Sequence, residues 1–338
     1  MQAAIAIRYW LERTNTKGTI RLYGTPAEEG GSGKVYIARD GYFDDVDVVL
    51  HWHPDDMNRS FYSSSNGNKS ARFKFKGVSA HAAGAPQNGR SALDGVEAMN
   101  MMVNMMREHM DEEARIHYVI TKGGLAPNVV PEEAEVYYYV RHPNVEGVQE
   151  LFNRVVKTAE GAARGTETEM DFEVMHGNYP LMPNKTLSIV IDEELHQLGG
   201  ISYNDEENKF AREIYQTLLN PDRPIGDQEN IQPLELSQTK GSTDVGDVSW
   251  KVPTSGVRIA TWVPGTSSHS WQAVAAGGTT IGTKGSTLAA KVLANSALRF
   301  YQDPKLIEAA WEEHKINIGD HQYEALLGDR KPPLDYRK

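Results

Sequence analysis

Four groups of residues have the types and spacing to do chemistry: Glu28-Glu29, His51 with His53, Asp244 with Asp247, and His269. Carboxylate and imidazole together make the donor set of Zn, Mn and related divalent ions. Such an ion lowers the pKa of a coordinated water, and a free Glu beside it can take the proton. The carboxylate pair stands in Pro26-Ala-Glu-Glu-Gly-Gly-Ser-Gly33, between a predicted strand at 20–24 and a predicted helix at 34–40. Open α/β sheets place their chemistry at such a turn. Adjacent residues leaving a strand point to opposite sides, so one carboxylate can face a metal while its neighbour faces a reacting water. Three of these groups also have a plainer reading. The two Glu could be exposed loop acids, His51 and His53 satisfied strand-end side chains, and His269 a turn residue in Gly265-Thr-Ser-Ser-His-Ser-Trp271.

The elements that must position these groups fall into two patterns. A helix at 2–12, the turn, and a strand at 47–54 open the chain. From Ser70 a compact alternation begins: strand 72–76, helix 92–110, strands 115–121 and 134–141, helix 145–163 and strand 167–175. This β-α-β-β-α-β order is the split βαβ signature of a ferredoxin-like α+β sandwich. Polar stretches at 63–68 and 178–184 read as paired linkers around an insertion. The expected architecture is therefore α/β, with a discontinuous open-sheet domain at residues 1–66 and 180–338 interrupted by a dimerisation unit at 67–179. Met99, Met102, Met106 and Met110 recur at helical spacing, a subunit contact or, more commonly, core packing. Beyond the insertion the pattern predicts helices at 187–198, 206–219 and 284–301 and a strand at 256–262. Residues 220–239 form a loop, and a peripheral polar tail follows Asp320.

Composition narrows the function classes. With 338 residues there is room for two domains and an ample core. A net charge of -11 repels nucleic-acid phosphates and anionic membrane surfaces, which argues against either partner. No run approaches the roughly 18 apolar residues of a membrane span. The absence of Cys leaves His, Asp and Glu as the only metal ligands and is compatible with a bacterial-type cytoplasm.

The run Gly18-Thr-Ile-Arg-Leu-Tyr-Gly-Thr-Pro-Ala-Glu-Glu-Gly-Gly-Ser-Gly33 resembles the metal-carboxylate motif of the amidohydrolase branch of the aminoacylase/carboxypeptidase-type metallopeptidases. Val78-Ser-Ala-His-Ala-Ala83, Asn128-Val-Val-Pro131 and Arg141 carry the same likeness. Gly241-Ser-Thr-Asp-Val-Gly-Asp-Val-Ser-Trp250 and His269-Ser-Trp-Gln272 extend it over essentially the whole chain. The resemblance implies metal-dependent hydrolysis of an amide between an acyl or aroyl group and an amino acid, with an aminobenzoyl-glutamate type substrate favoured. It implies Glu28 as general base, and Glu29, His53 and His269 as metal ligands, His53 fitting better than His51. His81, supplied by a partner subunit, would stabilise the oxyanion. Asn128 and Arg141 would hold the scissile carbonyl and the substrate carboxylate, the latter suiting the planar guanidinium fork. Implied too are two divalent ions, Zn or Mn, and a homodimer or a heterodimer with a related subunit.

One departure stands out. The His-x-Cys-Gly-His type motif that the resemblance calls for is not in this sequence, so the expectation is a chain begun at an internal Met of a longer protein. Two rival readings follow: a non-catalytic subunit that keeps the fold, and a carboxylate-binding module using Arg141 and Asn128.

Overall fold

In the computed structural model, residues 1–334 are described; the last four residues of the predicted tail lie outside them. Helix α1 (Gln2–Thr14) leads through an irregular stretch to two short helices, α2 (Glu28–Gly31) and α3 (Gly33–Arg39). Strands β1 (Val49–Asp55), β2 (Arg59–Ser60), β3 (Ser63–Ser64) and β4 (Gly67–Lys76) follow. Next come α4 (Ala92–Met106), β5 (Arg115–Lys122), β6 (Glu133–His142), α5 (Val145–Thr166) and β7 (Glu169–Asn178). The remainder is α6 (Lys185–Leu198), α7 (Asp205–Tyr215), β8 (Ser237–Gln238), α8 (Val245–Lys251), β9 (Thr254–Ala260), α9 (Trp271–Gly277), α10 (Thr280–Gln302) and α11 (Lys305–Ile318).

The predicted β-α-β-β-α-β unit forms. Its four strands lie in the order β5-β6-β4-β7, all antiparallel. In β4 the alternation puts Ala71, Phe73 and Phe75 into the core and leaves Arg72 and Lys74 on the other face. Helices α4 and α5 cover the apolar face, with Val96, Met99 and Val103 meeting Leu151, Phe152 and Val155. Asn144 starts α5 by accepting a hydrogen bond from Gly147 N at 2.8 Å. The methionine stripe divides by angle: Met99 and Met106 are buried and Met102 and Met110 pack against the same core. The methionines left exposed on α4 are Met101 and Met105.

The second unit is built on a three-stranded sheet, β1-β9-β2, in which β1 and β9 run parallel. Val257 and Ile259 of β9 pack under Ile191 and Leu195 of α6 and under Leu288, Ala289 and Val292 of α10. Ile7 and Leu11 dock α1 onto Ala294 and Ala297 of α10.

Two expectations are corrected. Residues 20–24 pair with no strand among the described residues; Ile20 and Leu22 are exposed, and the segment is held by Arg21 on Asp45 and Tyr23 against Phe43. β-branched composition alone does not make a strand without a neighbour to complete its hydrogen bonds. The tail is not peripheral: Ala325, Leu326 and Leu327 are buried, and Leu326 joins Val145, Val148 and Tyr179 in one cluster. Three apolar residues in a polar stretch are too short a run to register as periodicity.

The connections between the units are polar in sequence but buried in fact. Leu181 N donates to Ser65 Oγ at 3.0 Å and Met182 N to Ser249 Oγ at 2.9 Å. Tyr179 N donates to Asp247 Oδ2 at 3.0 Å, and the Tyr323 hydroxyl donates to Asp247 Oδ1 at 2.8 Å. Asp247 is fully enclosed, and burial, reinforced by Asp244, pushes its carboxyl up to about 7. The folded state thus keeps a proton that an unfolded Asp releases near pH 4, and stability falls as pH rises from about 4 through 7. Between pH 5 and 8, the denaturant midpoint of the parent should drop relative to that of Asp247→Asn, whose amide does not titrate. Parallel curves would refute the assignment.

Candidate active site

The Glu28-Glu29 turn is a strained backbone. Ala27 (φ 65°) and Ser32 (φ 54°) bracket α2 in the left-handed region, with Gly30 at φ 87° between them. Non-glycine residues hold that conformation at a cost of about 1 kcal/mol or more, and such residues concentrate at functional sites. Gly33 has no room for a side chain, because a Cβ there would stand 2.0 Å from Pro26 O. Below the turn, Lys34 Nζ meets Asp244 Oδ1 at 2.8 Å, and Lys34 N donates to Asp244 Oδ2 at 3.0 Å. Asp244, at the start of α8, is therefore the buried partner of a lysine in α3 and not a strand-end acid.

The two glutamates occupy different environments. The Glu28 residue keeps solvent access, yet enough protein surrounds its carboxyl to raise its pKa. Desolvation is the largest cause and the Asp244 charge the next, with Thr243 and Lys34 opposing. Glu29 Oε1 stands 3.8 Å from His269 Nε2. His269 is itself left-handed, at φ 58°.

His53 Nδ1 is 2.6 Å from Pro54 O. A carbonyl only accepts, so Nδ1 carries the proton and Nε2 offers its lone pair. Desolvation, then Arg258, holds His53 below the usual imidazole value, while the Glu29 charge acts on it in the opposite direction. His51, one turn of the pleat away, is half-buried with its ring turned inward. Burial drives it to about 3, Phe61 packs against it at 5.0 Å, and its Nε2 has no partner.

The donors fit a divalent ion in kind. Two ligands sharing one ion at about 2.0–2.2 Å stand roughly 3–4 Å apart, which the Glu29–His269 separation matches. A ligating His usually donates its other N–H to a carbonyl or carboxylate, as His53 does. Among the described residues, no three His, Asp or Glu side chains are gathered closely enough to hold an ion. The fit thus extends to the Glu29–His269 pair and to the tautomer of His53.

Glu28 and Glu29 open onto a cavity of about 220 Å³ that also takes in Arg141, Tyr139, His176, Asn68 and Asn178. A larger hollow of about 620 Å³ between α4 and β5 has no base or metal donor beyond Glu97 and Glu108. Arg141 thus joins the glutamates, whereas His81 and Asn128 do not. They lie at the far end of the four-stranded sheet, about 30 Å along ten-residue strands. There Ala82 N donates to Asn128 O, and Ala83 N and Gly84 N donate to His81 Nδ1. Sequence reasoning missed Asn68, Tyr139, His176 and Asn178. The period-two pattern of β4 and β6 would have placed Asn68 and Tyr139 on the face of Arg141.

A peptidase dimerisation domain matches residues 63–167. A p-aminobenzoyl-glutamate hydrolase subunit of Escherichia coli (strain K12) is 40% identical over 93% of this chain and 70% of its own length. The chain belongs to the M20 peptidase family. Among other relatives, the Xaa-Arg dipeptidase of Mus musculus is 29% identical over 95% of this chain and 68% of its own. In fold, the chain is similar to an aminobenzoyl-glutamate utilization protein from Klebsiella pneumoniae, with a TM-score of 0.61 and 19% identity over 88% of this chain and 66% of that one. A dinuclear metal binding M20 peptidase from Bacillus subtilis shares the fold at a TM-score of 0.54 and 16% identity over 89% of this chain and 70% of that one. As a member of this family the chain is an M20 amidohydrolase with the expected α/β fold and dimerisation domain. No helix among the described residues is long and apolar enough to cross a membrane.

The Lys34–Asp244 pair supports the floor of this site from a buried position. Lys34→Met should lower stability by about 3–5 kcal/mol, because it strands a buried carboxylate. Adding Asp244→Asn should restore much of that loss. A denaturation cycle in which the two losses simply add would show that the pair is not coupled.

Proposed function

We propose that this M20 amidohydrolase cleaves the amide between an aroyl or acyl group and an amino acid, with a p-aminobenzoyl-glutamate type substrate. The observation that carries this is the division of labour between adjacent carboxylates: Glu28 has a raised pKa inside the cavity, while Glu29 faces His269 at 3.8 Å. Glu29, His53 and His269 are the residues that would hold a divalent ion, Zn or Mn. When bound, such an ion supplies a coordinated water of lowered pKa and polarises the scissile carbonyl. Glu28 takes the proton of the attacking water and returns it to the leaving amine, a task suited by a pKa above the ordinary carboxylate value. Arg141 holds the substrate carboxylate.

His81 and Asn128 serve the neighbouring site of a dimer. With Nδ1 of His81 accepting from two backbone N–H groups, a neutral ring carries its proton on Nε2, ready to donate to an oxyanion. A second copy or a related subunit would dock on the inserted unit, residues 67–179, where Met101, Met105, Val119 and Ile120 are exposed. A cytoplasmic setting suits a chain with no cysteine.

Because no three donors are gathered among the described residues, a second reading is a non-catalytic subunit that relies on its partner. Metal content and turnover decide between them. Glu28→Gln should lose about 10²–10⁴-fold in kcat while retaining metal, whereas Glu29→Gln and His269→Ala should lose metal. Activity surviving in Glu28→Gln would remove it as the base. Absence of bound Zn or Mn in the parent would favour the non-catalytic reading.

A further inference from the structure

The cavity beside Glu28 has a built polar wall of which the reaction above uses only Arg141. Residues directly opposite in an antiparallel sheet share a face. Asn68 stands between Arg141 and Asn178, and Ser70 between Tyr139 and His176. All six therefore project from the face of the sheet opposite α4 and α5.

His176 reaches that face through an irregularity. Met170, Phe172 and Val174 of β7 alternate onto the helix-covered core, and strict alternation would send His176 there as well. The register instead shifts between Ser70 and Ala71, which pair with His176 and Val174 and leave Met175 as an extra residue. This bulge turns His176 to the cavity, a common use of bulges beside active sites.

Four buried polar atoms at this cavity have no hydrogen-bond partner: Arg141 Nε, His176 Nε2, Asn68 Oδ1 and Ser242 Oγ. Buried polar groups without partners are rare, and their concentration at one cavity marks a place for a ligand. His176 is 4% exposed. Its ring packs edge-on against Tyr139 at 4.9 Å, and the Arg141 guanidinium lies 5.6 Å over the same Tyr139. Burial, and next Arg141, hold His176 down to about 4, so at neutral pH it offers one N–H and adds no charge.

We propose that His176 is a specificity-determining residue of this site, which donates from Nε2 to the carboxylate of the substrate's amino-acid half opposite Arg141. The inference rests on the hydrolytic reading for the identity of the substrate, but the cradle itself is defined by the sheet. A planar carboxylate between the two side chains would accept from both and from the Ser242 hydroxyl, while Asn68 Oδ1, an acceptor, would not contribute to holding it. A carboxamide in the same place would present an N–H₂ edge to one of two donors and be disfavoured.

Binding without turnover tests this. Benzoyl-glycine and benzoyl-glycinamide are titrated calorimetrically into the full chain carrying Glu28→Gln, alone and with His176→Phe or His176→Gln added. Benzoyl-glycine should bind about 10- to 100-fold more weakly to the Phe variant, the loss expected for one hydrogen bond to a charged group. His176→Gln, which keeps an N–H donor, should stay within a few-fold of the parent, and benzoyl-glycinamide should be indifferent to both changes. Equal affinity of the Phe variant for benzoyl-glycine overturns the proposal. So does an equal loss for both ligands, which would make His176 merely structural, or no carboxylate binding to the Glu28→Gln parent. Hydrolysis of p-aminobenzoyl-glutamate by the unsubstituted, metal-loaded protein is scored separately. Turnover with an indifferent His176 refutes this inference alone, and a carboxylate-selective His176 without turnover refutes the hydrolytic reading alone.

Discussion

The buried contact between Lys34 and Asp244 is the joint on which the site depends. It fastens the start of α3 to the start of α8, and the turn carrying Glu28 and Glu29 is the segment immediately before Lys34. Asp244 does more than hold. Its charge, with desolvation ahead of it, makes Glu28 a stronger base. Lys34 keeps that charge from standing alone in the interior, since a buried carboxylate without a partner is among the more destabilising features a fold can carry. Position at the turn thus comes from one ion pair, and basicity from burial with the Asp244 charge added to it.

A second constraint runs three residues further along α8. Asp247 accepts from the backbone of Tyr179, where the chain leaves the inserted unit, and from Tyr323, in the tail. Tyr179 in turn packs against Trp250, Tyr323 and His321. Helix α8 therefore presents one carboxylate to the catalytic turn and another to the crossing between units. Its first residues connect the chemistry of Glu28 with the placement of the sheet that carries Arg141.

Much of this was legible in the sequence where periodicity was long. The inserted β-α-β-β-α-β unit follows directly from alternation in β4 and β6 and from the apolar stripe of α5. The Glu28-Glu29 turn could be singled out because carboxylates, glycines and a following helix coincide. What could not be read depended on partners distant in the chain. Residues 20–24 have strand-like composition and no strand beside them. Helices α8 and α9 have seven residues each and no apolar period. The tail is anchored by three residues. His51 and His53 are chemically alike, and only packing separates a ring turned in against Phe61 from one whose Nδ1–H donates to Pro54 O. Asn128 and Arg141 are thirteen residues apart in sequence and at opposite ends of the same sheet.

The bulge at Met175 limits this protein by count and not by kind. A strand has two faces, and one inserted residue is the smallest change that exchanges them. Removing Met175 would make β7 regular with His176 still facing the cavity and Gly177 the core, because Val174 and His176 would then be consecutive. Replacing it by another residue of similar size would leave His176 where it is. A homologous segment one residue shorter would therefore present the same wall on a regular strand, whereas one of equal length paired without the bulge would turn its histidine into the core.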